Sequence, residues 1–365
     1  MIRTKFLTAG QAISILALFT IGSSLNIGLN AASKQDAWFV ILLGLLLATP
    51  MICGFARLLS LYPGQGLYDI VFEVFGRVFG RIFILLFLLH LIMVGALILR
   101  NFAEFLQVVS MPETPEIIFL ILMSALCVWM VRRGMNVFGR WAKIVLALVF
   151  FVEVPMFILS IENMDLNNLK PVMGTNFNTL MSSSMLLFSL PFTETVIFAT
   201  LFGHIKPIKN PYKIYWIGIS IGAVLLSTAT LRNILVLGVS VVGDFYFPSY
   251  SAAGIISVGD FLSRIEVLIG MLYVLTGFSK ITVCLFAASE GLSKVLNKRK
   301  CTDLAVPVVL LMLTLAQILF TNTLEMYNWL QKVFQYYALP FQVVLPLILL
   351  AGAEIKTRLG KLGNP

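Results

Sequence analysis

The chain has 365 residues, 59% of them hydrophobic and only 12% charged, with a mean hydropathy of +0.96, so it has far too little polar surface to cover a soluble globule. Its length would allow two or three soluble domains, but apolar runs begin near the N-terminus and continue almost to the end, which leaves a single transmembrane domain over residues 1–365. The net charge of +9 raises nucleic acid as a partner, and the way that charge is distributed then excludes it.

At roughly 20 residues per crossing, the chain reads as about ten membrane-spanning helices: 8–30, 36–60, 82–108, 115–132, 141–161, 181–202, 212–239, 261–290, 303–321 and 333–354. Arg3 and Lys5 precede the first run as in a signal peptide, but no small-residue cleavage site follows and the span is read as retained. The basic residues sort by loop. Arg3 and Lys5, Arg57, Arg77 and Arg81, Arg132 to Lys143, Lys206 to Lys213, Lys294 to Lys300, and Lys356 to Lys361 fall on one side, against Lys34, Lys170 and Lys332 on the other. The positive-inside rule then puts both termini in the cytoplasm, and Trp38, Trp129, Trp141, Trp216 and Trp329 all lie near predicted span ends, as an interfacial aromatic belt requires.

Residues 61–81 read as a cytoplasmic connection in which Gly76-x-x-x-Gly80 has the spacing of a close helix contact, with ordinary packing as the preferred meaning. Externally, Asn163 to Pro171 is polar and turn-rich, suiting a cap over the bundle, and Gly243 to Asp260 is long enough to hold a short surface helix. Cys53, Cys127, Cys284 and Cys301 have neither metal-ligand nor disulfide spacing.

Two spans are interrupted. The first carries Gly22-Ser23-Ser24-Leu25-Asn26, a small and polar break; the sixth carries Pro191-Phe192-Thr193-Glu194, where proline removes a backbone donor and glutamate is costly in hydrocarbon. The breaks lie five spans apart, so the chain divides into halves of about 8–161 and 181–354, and an odd number of spans gives the halves opposite orientation. Interrupted helices at matching places in inverted halves point to a transporter-type site, with free amides suited to a carboxylate and free carbonyls to an ammonium group. The predicted ligand-binding group is Gly22, Ser23, Ser24, Asn26, Pro191, Phe192, Thr193 and Glu194, with Thr193 and Ser24 as side-chain contacts. Close packing at the glycine and a simple proline kink are the competing explanations.

Besides Glu194, further charges stand inside predicted spans. Arg100 and Glu104 share one helix face at i and i+4, the arrangement of a structural clasp. Glu153 lies near the outer end of its span, within reach of the interface, while Arg232 and Lys280 must face the bundle interior. Lys280 either replaces a bound sodium ion between the first and eighth helices or pairs with Glu194 or another interior acid. His90 reads as a packing residue and His204 as interfacial. No catalytic, metal or cofactor constellation is present, so the chain is not read as an enzyme.

Gly22, Tyr62-Pro63, Arg100-x-x-Ala103-Glu104, Thr114-Pro115, Gly134 with Arg140, Asp165 to Pro171 and Glu194 together resemble the spore germination permeases, the B subunits of endospore germinant receptors, within the amino acid–polyamine–organocation superfamily. The likeness runs over nearly the whole chain, with Phe192-Thr193 and Ser23-Ser24 as departures. The resemblance implies an all-α integral membrane protein with a LeuT-type 5+5 inverted repeat and broken helices 1 and 6, in the spore inner membrane. It further implies recognition of a small nutrient, often an amino acid, and assembly with an A-type membrane subunit and a C-type lipoprotein subunit. A proton-coupled amino-acid transporter, with Lys280 or Glu194 carrying the proton, and a scaffold with a vestigial pocket are the other classes considered.

Overall fold

In hydrocarbon every backbone polar group must be satisfied within the protein, so each apolar run closes its own hydrogen bonds as a helix. The computed structural model describes residues 6–25, 28, 31–207, 210–255, 264–298 and 300–362, and the helices among them are α1 (Ala9–Ile21), α2 (Ala37–Leu61), α3 (Leu67–Val109), α4 (Glu116–Arg133), α5 (Met135–Leu159), α6 (Phe177–Leu187), α7 (Pro211–Leu237), α8 (Val239–Val242), α9 (Pro248–Ile255), α10 (Glu266–Val295), α11 (Ala305–Ile318), α12 (Thr323–Lys332), α13 (Phe334–Leu339) and α14 (Leu345–Leu362). Among the described residues, eight helical stretches are long and apolar enough to cross a membrane. The shorter α1 and the 18-residue α4, which carries Glu116, Arg132 and Arg133 at its ends, complete the ten spans read from the sequence. Short elements fill the connections: α8 and α9 between the seventh and eighth spans, and α12 before the last.

α1 begins with a capping box, in which Thr8 Oγ1 accepts from the Gln11 amide at 3.3 Å and Gln11 Oε1 accepts from the Thr8 amide at 2.8 Å. It runs along α7 and α5, while α3 runs along α10 and α2 along α7 and α6. The α1–α7 approach depends on glycine: a Cβ at Gly222 would lie 2.7 Å from Thr20 Cβ, and one at Gly218 2.9 Å from a Leu16 methyl. The pair Gly218-x-x-x-Gly222 thus brings two spans together, whereas of Gly76-x-x-x-Gly80 only Gly80 receives a neighbour, Phe72 of the preceding helical segment.

The connection predicted for residues 61–81 is also different. From Leu67 the chain is helical, and Gly76, with φ of 72° and ψ of −173°, breaks that helix into an arm, Leu67 to Phe75, and the third span. The arm is amphipathic and half-buried, with Asp69 and Glu73 on its polar side, so charges that read as a loop belong to a surface helix. Externally, Asp165 caps a tight turn by accepting from the Asn167 amide, and the buried Asp36 accepts from the amides of Met173 and Thr175 at 2.7 and 2.9 Å, which pins the 163–175 segment to the start of α2. The predicted surface helix between 243 and 260 is α9; residues 256–263 lie outside the described residues.

Candidate functional site

The two broken helices meet at α10. At the end of α1 the Gly22 amide closes the last turn on Leu18 O, and Gly22 then leaves the helix with φ of 30° and ψ of −122°, a backbone state that strains any residue with a Cβ. A Cβ there would also lie 2.5 Å from Lys280 Cδ. Glycine is thus required twice, for the turn and for the lysine stem packed on it. Thr276, one turn before Lys280, donates to the freed Gly22 carbonyl at 3.1 Å.

In the sixth span α6 ends at Leu187, a wide turn covers Phe188–Phe192, Leu190 is extended (φ −136°, ψ 107°), and a tight 3-10 helix resumes over Thr193–His204. Pro191 has no amide to continue the ladder. The Thr193 hydroxyl lies 2.9 Å from Phe188 O and 2.8 Å from Gln342 Oε1, so it staples the break to a second wide turn, Pro340–Val344, in the last span. The Gln342 amide nitrogen in turn approaches His90 Nε2 at 3.4 Å, and His90 is fully buried and stacked on Phe341.

Lys280 Nζ donates to Glu194 Oε2 at 2.6 Å, and neither side chain is exposed at all. The ammonium also sits 5.2 Å above the Phe19 ring of α1. One lysine therefore touches the first, sixth and eighth helices. Removing either charge from water costs several kcal/mol, which only the intact pair offsets. At the two breaks Glu194 Oε1, Ser189 Oγ and Ser24 Oγ are buried without a hydrogen-bond partner among the described residues. These oxygens, at the two breaks, are acceptors suited to a small ligand's N–H or O–H groups.

Of the predicted ligand residues, Gly22 and Glu194 are joined through Lys280, with Pro191, Phe192 and Thr193 fully or nearly buried in the same turn. Ser23 belongs by its backbone to the 3-10 turn Gly22–Leu25, and Asn26 lies outside the described residues. The Thr193 hydroxyl, read as a ligand contact, has Phe188 O and Gln342 Oε1 as acceptors for its one proton. Thr276 and Gln342 escaped the sequence reading; Thr276 had a signal, since it precedes Lys280 by four residues and so shares its face.

The other intramembrane charges are paired away from this crossing. Arg100 Nε lies 2.9 Å from Glu104 Oε1 and 3.0 Å from Glu116 Oε1, so the clasp within α3 extends to α4 through an acid the sequence reading passed over. Glu153 does not reach the interface: it is buried and accepts from Arg232 at 3.0 Å, joining α5 to α7, and Asn233 beside it donates to Ser249 of α9. His204 Nε2 meets Glu290 Oε1 at 3.0 Å, and Leu7 forms a short parallel bridge with Ile205, which fastens the segment before α1 to the end of the sixth span.

This arrangement of two broken helices on a straight eighth one can be set beside known proteins. A family model described as spore germination protein matches residues 6–326. The chain belongs to that family. Among its relatives, spore germination protein KB of Bacillus subtilis (strain 168) is 28% identical over 352 residues, covering 95% of this chain and 94% of the relative. Spore germination protein XB of Bacillus anthracis is 22% identical over 304 residues, with 83% and 84% covered. Among solved structures, Mhp1, a nucleobase-cation-symport-1 family transporter in a closed conformation with bromovinylhydantoin bound, superposes with a TM-score of 0.71 at 12% identity, covering 95% of this family member and 80% of Mhp1. MhsT in complex with L-phenylalanine gives 0.64 at 10% identity, with 94% and 98% covered. The fold of this germination-family protein is therefore the LeuT type, with broken helices 1 and 6. Family and fold are of permease and transporter type, not those of an enzyme.

Proposed function

We propose that the chain is the nutrient-sensing membrane subunit of a spore germinant receptor, a single transmembrane domain in the spore inner membrane with both termini in the cytoplasm. A small germinant, an amino acid by this reading, binds at Gly22–Asn26 and Pro191–Glu194, and the resulting shift passes to an A-type membrane subunit and a C-type lipoprotein subunit. The observation that supports this most is the buried Lys280–Glu194 pair, which links the two breaks, together with Glu194 Oε1, Ser189 Oγ and Ser24 Oγ, buried at those breaks and unpartnered among the described residues. A ligand ammonium and carboxylate are the chemistry that such a pair and such oxygens discriminate, and binding tighter in one conformation than the other shifts the population. The test is germination of spores carrying Glu194→Gln or Gly22→Leu: the nutrient response is expected to be lost, and a normal response from both variants rejects the site.

One observation favours a second reading, a proton-coupled amino-acid transporter: Lys280 packs on Gly22 between the first and eighth helices, where its ammonium can replace a bound cation. Uptake of labelled amino acids into liposomes, with and without a proton gradient, separates the two; accumulation driven by the gradient supports transport.

A further inference from the structure

The joint at Gly76 has an unusual surface. The first helical residues of the third span, Arg77 to Ile82, are exposed except Gly80: Val78 and Phe79 are 70% and 71% accessible, Ile82 53%, and Arg77 and Arg81 stand between them four residues apart on one face. The acids nearby are committed elsewhere. Glu73 accepts from Gln65, Glu354 from Arg57, and Asp69 from Lys294. On the other side of the arm Lys356 of α14 donates to the Glu73 carbonyl, which adds positive charge. Two arginines with no acid paired to them among the described residues, set among exposed apolar side chains at the boundary of a span, match the two halves of one kind of molecule, an anionic headgroup on acyl chains.

The joint is also mechanically connected. The arm is clamped to α10 by the Tyr68 hydroxyl on Ala287 O at 2.8 Å and by Lys294 on Asp69, and a Cβ on Gly66 would lie 2.8 Å from Thr200 O of the sixth span. Gly76 itself has no atom within 4 Å of where its Cβ would be, and the angle between arm and span is held by packing across the joint, Phe75 stacked on Phe83 with ring centroids 5.8 Å apart and Phe72 against Gly80. We propose that Arg77 and Arg81, with Val78, Phe79 and Ile82, form a docking surface for an anionic phospholipid, and that the docked lipid braces the packed joint at Gly76 and thereby the seating of the arm on the sixth and eighth helices.

The experiment uses the full chain in nanodiscs of phosphatidylcholine with or without phosphatidylglycerol. Thermal melting is expected to rise with phosphatidylglycerol, and Arg77→Gln with Arg81→Gln together should abolish that rise and weaken retention of phosphatidylglycerol in native mass spectrometry by roughly 10- to 30-fold. Arg132→Gln with Arg133→Gln, on α4, should keep the rise. The proposal is overturned if both double variants lose the rise equally, if neither does, or if inorganic phosphate produces it in pure phosphatidylcholine. Should the double variant not fold, the wild-type chain decides alone, since equal retention of the two lipids overturns the surface.

Discussion

Two buried ion pairs in this bundle have nearly the same geometry and different surroundings. Arg232–Glu153, at 3.0 Å, joins α7 to α5, two continuous helices of which only α5 lacks one ladder donor, at Pro155, and its neighbours Asn233 and Ser249 extend the polar contact to α9. Lys280–Glu194, at 2.6 Å, joins a straight helix to a broken one and lies against the break of a third. The first pair can only hold two rods together. The second stands where backbone groups have been released and where three side-chain oxygens are left without donors, so a ligand can rearrange it at a smaller cost than it could rearrange a helix.

The sharpest break of this comparison is charge removal. Glu194→Gln and Glu153→Gln each leave a buried cation unpaired and are expected to destabilise the protein by about 3–5 kcal/mol, measured by thermal unfolding in detergent. Only the first should lose the nutrient response; its loss in Glu153→Gln spores that hold the chain at wild-type level would erase the distinction. Replacing both members, Glu194→Leu with Lys280→Met, is expected to recover most of the stability and none of the response. A smaller effect is expected from Thr193→Val, which removes the staple between the sixth-span break and Gln342: about 1 kcal/mol of stability, with weaker nutrient response, read by the same melting assay and by spore germination.

The smallest lies outside both regions, at Glu325 before the last span. The Thr321 amide and hydroxyl bond its carboxylate and hold its pKa below the ordinary 4.5. A lowered folded-state pKa means stability that is present above the unfolded value and is lost as the pH falls through the folded one. Glu325→Gln should therefore flatten the melting profile below pH 4.5 and leave it unchanged near neutrality; a profile that still falls like the wild type's assigns the acid sensitivity elsewhere.

Hydropathy made the spans legible because burial in lipid imposes one requirement, a long apolar run, that each segment meets by itself. The same test failed at Leu67 to Phe75, since Asp69, Glu73, Arg77 and Arg81 interrupt the run, and a surface helix needs only one apolar face. It also could not rank glycine pairs: Gly76/Gly80 and Gly218/Gly222 have the same spacing, and only the position of α1 shows that both glycines of the second pair receive another span, while Gly80 alone of the first receives Phe72.

At the candidate site the division is similar. Proline at 191, glycine at 22 and an acid in hydrocarbon are local violations, so the sequence marks them without knowing the fold. Partner choice is not local. That Lys280 meets Glu194, that Glu153 meets Arg232, and that Arg100 also reaches Glu116 depends on which helices lie side by side, and any interior acid would have satisfied the same electrostatic need. The sequence by itself determined a helical membrane protein broken in two places; tertiary structure decided that the two breaks face one lysine, because a buried charge takes the partner that packing brings within hydrogen-bond reach.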